Sequence, residues 1–117
     1  MHAYEIPNLR YSLPAGGAVA RHRFVSVDAN GNGIQATAST QVVGASMNLV
    51  TAEEIANGER IVEVADGIVM VEASAAITAG TKVSANADGK VAVAGDIIAG
   101  IAITGAAAAG ELVAVKI

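Results

Sequence analysis

A chain of 117 residues with a formal net charge of −4, 53% hydrophobic and 15% charged residues is most simply one small domain. Its seven Lys and Arg are scattered apart from Arg21 and Arg23, so no basic face is expected for nucleic-acid phosphates. Without cysteine it has neither a disulfide framework nor a thiolate metal site.

One Phe, two Tyr and no Trp leave the apolar content to Ala, Val and Ile. Small and β-branched side chains suit strands and build thin cores. A mean hydropathy of +0.52 is high for a monomer in water, since monomers rarely expose large apolar patches. Contacts between subunits are expected to hide part of this surface.

The opening segment, "MHAYEIPNLRYSLPAGG", lacks the basic start and continuous apolar run of a secretory signal. Pro7 and Pro14 favour extended backbone and cannot donate to a strand ladder, so residues 1–17 are expected as an extended N-terminal arm and 18–117 as a single β domain. From Val19 the chain is a series of short β-type runs, "RFVSV", "GIQATA", "ERIVEV", "GIVMVEA", "TKVSA", "GKVAVA", "IIAGIAI" and "ELVAVKI", punctuated by Gly, Asn and Asp. That spacing predicts an all-β fold with at most short helical turns, a small antiparallel β-barrel or sandwich. One helical turn is expected in "TAEEIANG", where Thr51 and Glu54 have capping-box spacing and Gly58 ends the turn. The uncharged, apolar stretch 97–110 falls short of the roughly 18 apolar residues of a membrane span. A soluble product made in the cytoplasm, with no membrane partner, is the expectation.

Laid side by side, "VSVDANGNGIQATASTQVVG" and "VSANADGKVAVAGDIIAG" correspond, as do "TAEEIANGE" and "TGAAAAGE", each of the last pair leading into an apolar strand. The chain reads as an internal pseudo-duplication, with halves at about 18–66 and 67–117 closing one shared core. Corresponding hairpins are expected at Asn30-Gly31 and Asp88-Gly89, both favourable type I′ sequences.

Asp28, Asn30, Asn32 and Gly33 fill the opening of a calcium loop, but its twelfth position falls on Ser39 rather than a bidentate Glu. No helical pattern flanks it, and the matching corner "NADGK" puts Lys90 where a ligand would stand. A strand-connecting corner is therefore expected, with no metal and no cofactor. His2 and His22 lie apart and outside any metal-ligand spacing. No nucleophile elbow or phosphate loop occurs. Glu53 with Glu54, and Glu59 with Glu63, sit where carboxylates are ordinary surface groups. No catalytic residue is assigned, and the chain is not expected to be an enzyme.

The segment "GERIVEVADGIVMVEASAAITAGTKVSANADGKVAVAGDIIAGIAITGAAAAGELVAVKI" resembles the tailed-phage capsid cement, or decoration, protein family. The likeness lies in the strand before Gly67, the corner from Ala76 to Gly80, the strand carrying Gly100, and "AAAAGE" before a terminal alternating strand. The family often has an aromatic residue in the strand following that corner, and here Thr81 to Ala85 has none. The resemblance implies a small β-rich protein on the outer surface of a mature phage head, part of the virion after synthesis in the host cytoplasm. It implies homotrimers that bridge neighbouring copies of the major capsid protein and stabilise the shell.

On that reading the capsid-contact candidates are Tyr4, Glu5, Ile6, Asn8, Leu9, Arg10 and Tyr11 of the arm, with Arg21, Arg23 and Phe24 from the one basic cluster. An arm can lie over a partner or add a strand to it. The alternative is a carbohydrate- or ligand-binding β module, which would want exposed aromatics that this composition scarcely supplies. Tyr4 and Tyr11 clustering in a groove would favour it.

Overall fold

The computed structural model describes residues 5–58, 60–95 and 97–117. Among these residues nine strands and one helical turn follow one another: β1 Ile6–Pro14, β2 Phe24–Val27, β3 Gly33–Gln35, β4 Gly44–Ser46, α1 Ala52–Ala56, β5 Ile61–Glu72, β6 Lys82–Ala85, β7 Val91–Val93, β8 Gly100–Ala102 and β9 Leu112–Lys116. All strand pairings are antiparallel, in the order β3-β2-β4-β5-β9-β8-β6-β7, with β1 beside β5. Single parallel bridges, Ala15 to Gly33 and Ala73 to Val91, bring β3 back to the end of β1 and β7 back to the end of β5. The expected all-β antiparallel fold is thus a sheet curled into a half-barrel.

β5 organises the sheet because its sequence alternates. Val62 and Val64 point inward while Ile61 and Glu63 face out, the period-2 pattern of a strand with one buried face. Its leading part pairs with β1 and β4, its trailing part with β9. The first lobe comprises β1–β4, α1 and the leading part of β5. The second comprises the trailing part of β5 and β6–β9.

The segment read as an arm contributes β1 to this sheet, with Leu13 opposite Val62 and Tyr11 opposite Val64. Both side chains pack against the first-lobe core of Val19, Val25, Val50, Val62 and Val64. The same arrangement is met in the second lobe, where Val71 lies opposite Val113 and Val69 opposite Val115. Likewise the pairs Val25–Gln35, Ser26–Ile34 and Val27–Gly33 have counterparts in Val83–Val93, Ser84–Ala92 and Ala85–Val91.

The corners differ from the expected type I′ turn, which needs a left-handed backbone at both central residues. Of the two pairs only the glycines are left-handed, Gly31 at φ 81° and Gly89 at φ 74°. The reason is local: Asp28 Oδ1 accepts from the N–H groups of Asn30 and Asn32, both at 2.9 Å, and Asn86 Oδ1 accepts likewise from Asp88 and Lys90. A five-residue loop around a right-handed turn results, closed by the Gly31 N–H on Asp28 O at 3.1 Å. The helical turn forms with both hydrogen bonds of its Thr51–Glu54 capping box.

Gly67, at φ 113°, lies where the two lobes meet within β5. A methyl group there would stand 2.6 Å from Asn8 N and 2.8 Å from Ile6 O, backbone atoms that cannot step aside. Gly67→Ala should therefore cost about 3 kcal/mol, strain and clash together. Gly58→Ala, at φ 76° with nothing within 4 Å, should cost only about 1 kcal/mol. Urea denaturation of both variants checks the difference.

Candidate functional site

The structure separates the sequence-predicted candidates into three environments. Tyr4 lies outside the described residues. Glu5 precedes β1 and is half-buried, whereas Ile6, Asn8, Leu9 and Arg10 are exposed along it. Among the described residues no strand pairs with the edge of β1 that faces away from β5. That edge therefore presents backbone hydrogen-bonding groups beside two exposed apolar side chains, a template for an added strand.

Tyr11 is turned the other way. Its ring packs against the first-lobe core and its hydroxyl donates to Val43 O at 3.3 Å. Burial, assisted by the charge of Asp66, raises its pKa above the ordinary phenol value. Tyr11 is thus partly buried against the core, and no pocket is formed among the described residues.

The basic cluster is divided too. Arg21 is exposed, but Phe24 is fully buried under the second lobe and is not available to a partner. His22 adopts a left-handed backbone, φ 59°, which presents its carbonyl to the Glu72 N–H at 2.9 Å. The turn also lays Arg23 along Glu72, with Nη2 3.5 Å from Oε1, while Lys90 Nζ holds Oε2 at 2.9 Å. The Lys90 hydrogen bond, with the Arg23 charge adding to it against the cost of burial, holds the Glu72 carboxyl below the usual carboxylate range. This group ties β2 of the first lobe to β5 and the β6–β7 corner of the second.

Elsewhere several acidic side chains serve the fold. Asp28 is engaged by the turn it closes, and Glu54 completes the helix cap and meets Arg60 Nε at 2.8 Å. Glu63 accepts from the Ser12 hydroxyl at 2.9 Å, and Glu59 lies outside the described residues. No group of three His, Asp or Glu that could hold a metal ion occurs among the described residues. The surface offers a partner an open strand edge and exposed apolar side chains.

The sequence reading missed one such patch. Ile98 and Ile101 are exposed on the outer face of the second lobe, with Lys82 and Lys116 beside Ile101 on paired strands. Ile101 sits in an apolar run, "IIAGIAI", in which sequence offers no means of telling the covered side from the open one.

Comparison with known proteins bears on the whole chain. The model of a family described as phage cement protein matches residues 3–117. Among solved structures, the head fiber gp8.5 N base of bacteriophage phi29 superposes with a TM-score of 0.71 at 18% sequence identity, covering 93% of this chain and 92% of that one. At that identity the likeness is one of fold. No curated protein matches.

The Glu72 group makes a prediction with a definite sign. Because its folded pKa is lowered, its contribution is present above the ordinary carboxylate range and is lost as pH falls through the lowered value. Glu72→Gln should cost about 1 kcal/mol at pH 7, and the gap from the parent protein should close toward about pH 3. Urea melts at the two pH values measure it.

Proposed function

The chain belongs to the phage cement protein family, and on that premise we propose that it binds the outer surface of a mature tailed-phage head, bridges neighbouring major capsid protein subunits and stabilises the shell. A structural, capsid-associated role follows from the family itself. The finer statements, outer-surface binding, bridging and assembly as homotrimers, are our reading.

The observation that carries this reading is the family match over residues 3–117. The geometry supports it in kind. The open edge of β1, with Ile6, Asn8, Leu9 and Arg10 exposed along it, suits the addition of a strand from a partner. Arg21 and Glu5 extend the candidate contact, and Tyr4 belongs to it by sequence position. Many modest contacts of this kind, repeated over a lattice, give avidity without a single dominant residue. A cement protein works mechanically, and the acidic groups traced above are spent on turns, caps and ion pairs.

Two measurements test the proposal. Quantitative mass spectrometry of purified virions should find this chain at a copy number close to that of the major capsid protein; a handful of copies per particle would overturn lattice-wide binding. Replacing Ile6 and Leu9 together by Glu should leave stability within about 0.5 kcal/mol, as exposed positions allow, while lowering decoration of undecorated heads at least tenfold. Undiminished decoration would remove β1 from the contact.

A further inference from the structure

The two lobes touch through unlike surfaces. The first lobe contributes the outer face of its sheet, where Phe24, Val42, Ala45 and Ala65 are buried and join the core of the second lobe. The second contributes the open end of its half-barrel: Val71, Ala73 and Ala85, all buried, and the Asn86–Lys90 corner. Gly89 O accepts the Phe24 N–H at 2.8 Å. A methyl group on Gly89 would meet Gln35 Cγ at 2.8 Å and the Phe24 and Ala36 oxygens at 3.2 and 3.3 Å, so the corner is seated tightly on β2 and β3.

Each surface has a counterpart on the other lobe, and both counterparts are open. By matching pairings and turns, Phe24, Val42, Ala45 and Ala65 correspond to Lys82, Ile98, Ile101 and Lys116. Exposure rises from 7% at Val42 to 46% at Ile98, and from 2% at Ala45 to 44% at Ile101. At the other end, Ala85 is 5% exposed but its counterpart Val27 is 44% exposed. Leu13 and Ala15, the counterparts of Val71 and Ala73, are only half-buried. Gly31 is exposed with nothing within 4 Å of a methyl group placed on it, whereas Gly89 is buried.

We propose that the lobes are two copies of one unit, and that the contact between them within a chain is repeated between chains: the Val27–Asn32 end of one molecule seats on the Ile98–Ile101 face of a second copy. The occupant is a second copy because the chain already contains a solved instance of this contact, and each molecule carries one unused surface of each kind. Charge agrees with the assignment. Asp28 lies at the inserting end, and Lys82 and Lys116 border the receiving face. Such a contact is heterologous, head to tail, and closes into a ring or continues according to the rotation it imposes. The inference deepens the proposed self-association and rests on it, without drawing on capsid binding.

The test uses the full chain free in solution, by light scattering coupled to size-exclusion chromatography. Val27→Lys disables the inserting end by setting a like charge against Lys82 and Lys116, and Ile101→Glu disables the receiving face. Asn30→Lys and Ile98→Glu, at other exposed positions, stand in for either variant whose circular dichroism departs from that of the parent. The parent chain should be oligomeric and each variant monomeric, with association weakened at least tenfold. An equimolar mixture of an inserting-end variant with a receiving-face variant should form dimers and nothing larger, since one intact surface of each kind remains. Variants that keep the parent's mass, or a mixture that stays monomeric, would overturn the head-to-tail contact while leaving self-association standing. A monomeric parent chain would overturn both.

Discussion

Everything in this fold hangs on β5. A single strand of twelve residues serves as a wall of both lobes: its leading part carries β1 on one side and β4 on the other, and its trailing part carries β9. Two short sheets of small side chains would each be marginal alone, because little apolar area is removed from water in so small a unit. Running one strand through both makes their hydrogen-bond ladders a single cooperative structure. Gly67 makes this possible by letting β1 pass within contact distance of the β5 backbone at the change of lobe.

The second device is the seam. With one Phe in the chain, the largest side chain buried in the structure is Phe24, and it lies between lobes rather than at the centre of either. Valines fill each curled sheet, where strands are short and close. The ion group of Arg23, Glu72 and Lys90 sits at the margin of the same seam, where partial exposure keeps the cost of desolvation low. Apolar burial holds the lobes together, and the charges set their orientation.

The family gives the protein a structural, capsid-associated role. Exposed apolar groups lie on β1, at the Val27 end of the first lobe and on the outer face of the second, and Asp28 and Glu54 are occupied in a corner and a cap. The shared fold with a phage head fiber base shows that this architecture can be kept at low sequence identity.

Much of this was legible in the residues themselves. Alternation in "ERIVEVADGIVMVEA" declares a strand, because a period of two can bury only one face. Thr51 and Glu54 announce a helix start because a capping box satisfies its own donors within four residues. Asp28 and Asn86 mark corners for the same local reason. What the sequence could not decide is which side of each strand is covered. Phe24 looked like a surface contact beside Arg21 and Arg23 and is wholly buried, while Ile101, in an equally apolar run, is open. Tyr11 packs on the core and Leu9, two residues earlier on the same strand, is exposed, because Tyr11 lies opposite Val64 of the core whereas Leu9 lies opposite Asp66. Local pattern determines that a strand exists and where it turns. Only the packing of one lobe against the other, a contact between residues far apart in the chain, determines which of its faces meets water.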